Sequence, residues 1–239
     1  MRILEGEKVT KHFGGLAAVH QVDFDIHQGE VVGLIGPNGA GKTTLFNLIS
    51  GSLPTTAGEI RYKGKKITGL KPHQICKKGV ARTFQSAKLF AGLTVLENIL
   101  AASLFGTKRT ISVPDAEKEA IELLEFVELS TVGAILAKDL PIASRKRLEV
   151  ARALATKPDL LLCDEVMAGL NPADVAQAME LITKIRNKGI TIFMIEHVMK
   201  AIMNICDRII VLHHGSKIAE GTPEEIATSR TVIEVYLGE

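Results

Sequence analysis

Four groups of residues have the types and spacing for phosphate chemistry. The stretch Gly36-Pro37-Asn38-Gly39-Ala40-Gly41-Lys42-Thr43 carries the glycines, lysine and hydroxyl residue of a phosphate-binding loop, with Thr44 directly behind them. Glycines let the backbone wrap an anion closely, so that successive N–H groups and the start of the following helix point at it. Lys42 brings positive charge to the outer phosphates, and the Thr43 hydroxyl can ligate Mg²⁺. A second group, Asp164-Glu165, follows the apolar run Leu160-Leu161-Leu162-Cys163. Alone, an acidic pair at a strand end commonly caps a turn or helix. Beside a phosphate loop, Asp164 reads as a carboxylate that holds a metal through water and Glu165 as the group that polarises an attacking water. His197, directly after Glu196, can hydrogen-bond a terminal phosphate and orient that water. Gln85 can reach the metal or the water, although a single glutamine is commonly just solvated. A zinc reading of the histidines fails, because Ala201 stands four residues after His197 and His213-His214 adjoin Gly215 in a turn. His12, His20 and His27 have no ligand spacing and read as surface or strand residues.

The surrounding pattern supplies elements to carry these groups. Val31-Val32-Gly33-Leu34-Ile35 is a continuous apolar run of the kind that forms a strand buried on both faces. It leads into the glycine-rich loop, and a helix is expected over residues 44–50, ended by Gly51. Before it, Val22, Phe24 and Ile26 alternate with Asp23, Asp25 and His27, the period of a half-buried strand in an antiparallel layer. Ile60 and Tyr62 mark another strand, and residues 79–84 a strand that ends at Gln85. From about Ser86 to Ala155 the chain reads as a helical insert. Thr94 with Glu97 forms a capping box, Ser112-Val113-Pro114-Asp115 announces a second helix, and Ile121, Leu124 and Val127 recur on its face. The last third alternates strands (160–163, 191–195) with a helix presenting Val175, Met179, Ile182 and Ile185. That order implies a mainly parallel sheet. Thr222, Pro223 and Glu225 open a final short helix. The expected architecture is one α/β unit over 1–239, with a mainly parallel sheet core, an antiparallel β layer and an inserted helical subdomain at about 86–155.

Composition narrows the partners. Of 239 residues, 46% are hydrophobic and 23% charged, which suits a globular chain with a sizeable core. Lys and Arg number 29 against 27 Asp and Glu, a net charge of +2 that gives no reason to expect a nucleic-acid partner. The longest run free of these charges is the 16 residues 43–58, interrupted by Gly51 and Pro54, whereas a membrane span needs about 20 apolar residues. An acid at Glu5 precedes any signal-peptide core, so a cytoplasmic location is expected. Cys76, Cys163 and Cys206 lack the paired spacing of a zinc or redox site and read as reduced core thiols.

Taken together, the loop at Gly36, Gln85, Asp164-Glu165 and His197 resemble, in order and spacing, the motifs of ATP-binding cassette (ABC) ATPases, P-loop NTPases, over the whole chain. The resemblance implies ATP and Mg²⁺ as ligands and a dimer in which each ATP is pressed between one subunit's phosphate loop and the other's signature helix. It places Phe13 where the family stacks an aromatic on adenine; a core or edge-strand Phe is the alternative. Gly14-Gly15-Leu16-Ala17-Ala18-Val19, Gly79-Val80-Ala81-Arg82-Thr83-Phe84-Gln85, the stretch 89–100, Ala168-Gly169-Leu170-Asn171-Pro172 and the ending Val232-Ile233-Glu234-Val235-Tyr236-Leu237-Gly238 are similar to the ATPase subunits of branched-chain amino-acid importers. Those imply transmembrane permease subunits, a second cassette subunit, a solute-binding protein, and a place on the inner face of the cytoplasmic membrane. In such relatives a short helix of the membrane subunit docks just beyond the glutamine, where Leu89, Phe90, Leu93 and Val95 offer apolar contacts or pack internally.

Several positions depart from the family pattern. In place of Leu-Ser-Gly-Gly-Gln stands Leu140-Pro141-Ile142-Ala143-Ser144, followed by a helix, Arg145-Lys146-Arg147-Leu148-Glu149-Val150-Ala151-Arg152-Ala153-Leu154, that does fit. Val166 replaces the proline after the catalytic glutamate, and Asn171 stands where many cassettes have Asp. The altered signature also admits a nucleotide-sensing cassette that hydrolyses weakly, while urea, amide or other amino-acid importers are alternative cargo classes. A ribosome or DNA-repair cassette is disfavoured, since the chain has neither a second cassette nor a long coiled coil.

Overall fold

The computed structural model describes residues 1–85, 88–107 and 110–237. Ser86, where the helical insert is expected to begin, and Gly238 in the ending lie outside them. The chain opens with a long hairpin, β1 (Arg2–Phe13) and β2 (Leu16–His27), and then enters the buried strand β3 (Val31–Ile35). Helix α1 (Lys42–Ile49) starts two residues earlier than the apolar pattern suggested, because the loop before it is already wound into helix at Lys42. Next come β4 (Ala57–Tyr62), the short β5 (Lys65–Lys66) and α2 (Pro72–Cys76). Strand β6 covers only Val80–Arg82, shorter than the expected 79–84.

The middle of the chain is helical: α3 (Val95–Phe105), α4 (Val113–Phe126) and α5 (Ile142–Ala155). The Thr94/Glu97 capping box is formed, and Ser112 caps α4 by accepting from the Asp115 N–H. On α4 the buried residues are Ala116, Ala120 and Leu124, with Val127 just past its end, whereas Ile121 is 45% exposed. The small alanines let α4 approach its neighbours closely, a pairing that hydrophobic spacing alone does not show. Then follow β7 (Leu160–Asp164), α6 (Pro172–Asn187), β8 (Thr191–Ile195), α7 (Met199–Ile205), β9 (Arg208–His213) and β10 (Ser216–Gly221). Ile182 and Ile185 of α6 are buried, but Val175 and Met179 only partly so. Thr222 and Glu225 box the start of α8 (Pro223–Thr228), which is followed by a further helix, α9 (Arg230–Leu237), that no capping signal announced.

The strands form two sheets. One is antiparallel, in the order β2-β1-β4-β5; the other runs β10-β9-β3-β8-β7-β6, with β9, β3, β8, β7 and β6 mutually parallel and β10 antiparallel at the edge. The parallel sheet is buried on both faces. Successive side chains of a strand point to opposite sides, and here each side has its own apolar cluster. Val31, Leu161, Ile192, Met194 and Ile209 face helices α3 to α7. Val32, Leu34, Leu160, Leu162, Phe193 and Ile210 face α1 and the antiparallel sheet. This is why those strands read as unbroken apolar runs. Among the described residues, no helix is long and apolar enough to cross a membrane.

Phe193 joins the three layers on the second side. Its ring lies 5.0 Å from that of Phe46 on α1 and 6.2 Å from that of Phe24 on β2, and it is 0% exposed. Phe193→Ala leaves a cavity that rigid sheets on both sides cannot close. The expected loss is about 3–5 kcal/mol of stability, seen as a lower urea midpoint with an unchanged slope.

Candidate active site

The carboxyl ends of four parallel strands bring the motif residues together. The register pairs Leu34 with Ile195, Ile195 with Asp164, and Leu162 with Arg82. The residues that leave the sheet next are therefore the phosphate loop after β3, Glu196-His197 after β8, Glu165 after β7 and, three residues beyond β6, Gln85.

The loop itself is clamped from behind. A Cβ on Gly36 (φ 150°) would sit 2.1 Å from the Leu212 carbonyl oxygen, and one on Gly41 (φ 100°) 2.3 Å from that of Ala18. No side chain fits at either place, so glycine is required both by backbone angle and by close approach. Behind it the Gly215 N–H donates to the Ala40 carbonyl at 3.1 Å. Lys42 Nζ donates to the carbonyls of Gly36 at 2.6 Å and Pro37 at 2.9 Å, holding the ammonium over the loop. Asn38, Gly39 and Thr43 face the exterior, Thr44 is half-buried, and Pro37 and Ala40 are buried.

Asp164 is 1% exposed. Its Oδ2 accepts from Arg82 Nη2 at 2.7 Å, and its N–H donates to Thr83 Oγ1 at 3.0 Å. Its Oδ1 is buried with no hydrogen-bond partner among the described residues. Arg82 also donates to Asn47 Oδ1 at 2.7 Å and Ser50 Oγ at 2.9 Å, so a single guanidinium ties α1 to the end of β7. Glu165 adopts φ 52°, a left-handed conformation rare for a side chain of this size. Its N–H donates to the Ile195 carbonyl at 2.9 Å. Its carboxylate is bracketed: Gln85 Nε2 donates to Oε2 at 2.8 Å, and His197 Nε2 meets Oε1 at 2.9 Å. Gln85, Glu165 and His197, singled out separately in the sequence, form one cluster.

The sequence reading missed several buried charges here. Besides Arg82 they are Lys146 and Glu149 on α5 and Glu196 on β8's end, at 8%, 5% and 2% exposed. Glu149 Oε1 accepts from the Phe84 N–H at 2.9 Å, and Glu196 Oε1 from the Met167 N–H at 2.8 Å. Burial pushes Glu149 above the usual carboxylate range and Glu196 up to about 7. The only hint in the sequence was charge inside apolar stretches, which does not reveal a partner.

Residues 19–168, more than half of the chain, match the ABC transporter family. The chain belongs to that family. Residues 216–239 match a second description, branched-chain amino acid ATP-binding cassette transporter. The chain is 43% identical to the high-affinity branched-chain amino acid transport ATP-binding protein LivG of Escherichia coli, and 42% identical to the corresponding protein BraF of Pseudomonas aeruginosa. Each comparison covers 99% of this chain and 98% of the relative. A crystal structure of the ADP conformation of an ATP-binding cassette superposes with a TM-score of 0.90, 33% identity and full coverage of both chains.

The remaining family positions of this ABC cassette can be placed on the fold. Phe13, at the end of β1, is 48% exposed with the Lys11 ammonium 5.1 Å from its ring centre, so it is not a core residue. Pro141 caps α5 without a side-chain hydrogen bond, and Ile142 is 54% exposed. Asn171 caps α6 by accepting from the Asp174 N–H at 2.9 Å. Of the four apolar residues that either offer contacts to a membrane subunit or pack internally, Phe90 is 50% exposed and Leu89 and Leu93 half-buried, while Val95 is 0% exposed and belongs to the core. Val95, the first residue of α3, belongs to the same apolar cluster as Ile99 and Leu140. Cys163 and Cys206 are buried thiols and Cys76 only partly so.

The buried Arg82–Asp164 pair, at 6% and 2% side-chain exposure, makes a measurable demand on stability. Arg82→Met strands the Asp164 carboxylate and the side chains of Asn47 and Ser50. Breaking such a pair costs about 3–5 kcal/mol, which chemical denaturation of the variant beside the parent measures.

Proposed function

We propose that this ABC ATPase hydrolyses Mg-ATP to drive import of branched-chain amino acids, working in a dimer with a second cassette on the inner face of the cytoplasmic membrane. The cargo rests on the names carried by relatives similar over nearly the whole chain. The chemistry rests above all on one observation: the Glu165 carboxylate, held between Gln85 and His197, beside Asp164 and at the same sheet edge as the phosphate loop.

On this reading residues Gly36, Pro37, Asn38, Gly39, Ala40 and Gly41 cradle the phosphates with main-chain N–H groups. Lys42 transfers its hydrogen bonds from the loop carbonyls to phosphate oxygens, Thr44 adds a contact at the helix start, and exposed Phe13 stacks on adenine. The Oδ1 of Asp164, which has no hydrogen-bond partner among the described residues, and the exposed Thr43 hydroxyl are hard oxygen donors that would hold a hydrated Mg²⁺, with Gln85 able to join. Bound there, the ion would neutralise charge on the transferring phosphoryl group. Glu165 then accepts a hydrogen bond from the attacking water and aligns it, and His197 turns Nε2 toward the terminal phosphate. A groove of about 480 Å³ lined by Phe84, Phe90, Phe105 and Ala102 beside Arg152 lies next to Gln85, and we assign it to a permease helix.

Glu165→Gln keeps the side-chain shape but loses the anionic oxygen. ATP binding by calorimetry should persist, while steady-state turnover in the assembled transporter falls by about 10² or more. Comparable turnover of variant and parent assigns the catalysis elsewhere.

The start of α5 favours a heterodimer. Against a partner's ATP, the family presents a serine hydroxyl and glycine N–H groups. Here Pro141 has neither hydroxyl nor N–H, Ile142 projects an exposed apolar side chain, and Arg145 is engaged with the Lys138 carbonyl. Two charge-assisted hydrogen bonds lost at about 1.5–3 kcal/mol each weaken that transition state by about 10² to 10⁴ in rate. A homodimer carries this defect at both sites. A second cassette with an intact signature confines it to one. The purified chain alone should be a weak ATPase, and both the partner cassette and the variant Pro141→Ser, Ile142→Gly, Ala143→Gly should raise turnover. Robust activity of the isolated chain with no gain in the variant overturns the heterodimer.

A further inference from the structure

Lys146 occupies the second turn of α5 with its side chain turned inward, 8% exposed. Its Nζ donates to the Glu165 carbonyl at 2.7 Å and to the Gln85 carbonyl at 3.1 Å. These are the main-chain oxygens of the two residues whose side chains meet 2.8 Å apart at the Glu165 carboxylate. One ammonium therefore holds, by their main chains, both halves of the Gln85–Glu165 contact.

Two further observations make this more than a buried charge finding partners. Glu165 sits at φ 52°, a conformation that persists in a large residue only when its surroundings over-determine it. The Lys146 bond and the Glu165 N–H bond to the Ile195 carbonyl fix the peptide groups on its two sides. Gln85, for its part, lies three residues beyond β6, past the last ladder pair, Arg82 with Leu162. Its main chain is anchored by Lys146, and the neighbouring Phe84 N–H by Glu149, one turn further along the same face of α5. Residues 83–85 are thus held by α5 as well as by the sheet. The next residue on α5, Arg147, points the other way, to Glu128 and Gln177.

We propose that Lys146 is a positioning residue that couples α5 to the hydrolytic carboxylate. It sets the left-handed turn at Glu165 and the reach of Gln85, so that a displacement of α5, whose first turn follows directly on the signature residue Pro141, is felt at the Glu165–Gln85 contact. The inference rests on the ATPase reading above, with Glu165 aligning water. Lysine suits the task because its ammonium offers three donors on a compact, flexible stem and reaches two carbonyls at once. The buried carboxylates of Glu196 and Glu149 feel its positive charge, which offsets part of the cost of burying it.

The test uses the full chain assembled with its partner subunits, in the variants Lys146→Met, Lys146→Gln and Lys146→Arg. Lys146→Met should lower kcat by about 10-fold or more while the Kd for Mg-ATP, measured by calorimetry, stays within about 2-fold of the parent. Lys146→Arg, which keeps charge and several donors, should recover most of the loss. Lys146→Gln, with a shorter amide able to reach one carbonyl, should fall between and carries the test if the Met variant does not fold. In a Glu165→Gln background, Lys146→Met should lower the residual rate by less than about 2-fold, since residues acting through one another are not additive. Parent-like kcat in Met and Gln variants, a parallel loss of ATP binding, or a fully additive loss in the Glu165→Gln background overturns the proposal. An assembled parent that binds but does not hydrolyse ATP instead defeats the ATPase reading itself.

Discussion

The structure depends on a parallel sheet with no wet face. Because β3, β7, β8 and β9 are buried on both sides, they can carry no polar side chain along their length without the cost of an unpaired buried group. Polar residues are displaced to the strand ends, and the parallel register gathers those ends on one edge. The pairings Leu34 with Ile195 and Ile195 with Asp164 mean that loop, carboxylates and histidine need no further device to meet. The two-sided burial that stabilises the fold also concentrates its chemistry.

That concentration has an electrostatic cost which the neighbouring elements offset. Asp164, Glu149 and Glu196 are all buried within a few residues of the edge, and Arg82 and Lys146 are buried with them. Arg82 holds Asp164 by a direct charge-assisted bond, whereas Glu196 Oε1 accepts from the Met167 N–H and its buried Oε2 has no partner among the described residues. Burial raises Glu196 to about 7, above the usual carboxylate range. Glu165, next to these groups, is itself buried, at 9% exposed, and its φ of 52° makes a left-handed turn. That turn lifts the side chain out of the strand direction toward Gln85 and His197.

What could be read from the sequence was whatever follows from local pattern. The apolar run 31–35, the capping boxes at Thr94 and Thr222, the glycines of the loop and the acidic pair each announce themselves within a few residues, and each stands where the pattern put it. Features that depend on long-range contact were not legible. Ile121 reads as core by spacing but lies outside, because Ala116 and Ala120 make the close helix contact instead. Val95 reads equally as a surface contact or a core residue, and only the fold shows it in the core. Helix α9 has no cap to announce it. Arg82, Lys146, Glu149 and Glu196 bind partners 19 to 82 residues away in sequence, and nothing near them specifies those partners. Local patterning thus locates the residues that meet a ligand, while the residues that hold these in place are visible only in the fold.

Helix α5 shows how one element can depart from its family at one end and keep its role at the other. Its start, exposed Pro141 and Ile142 and half-buried Ala143, is where the pattern is lost. On the proposed reading that end faces the partner's nucleotide. Its inward residues, Lys146, Glu149 and, at the Lys88 carbonyl, Arg152, make their hydrogen bonds to this chain's own segment between β6 and α3 and to Glu165. None of these inward bonds is made by a side chain of residues 141–143. On the proposed reading, the first turn of α5 meets the partner's nucleotide while its inward side chains hold this chain's own Glu165 and Gln85, so one helix serves both sites of the dimer.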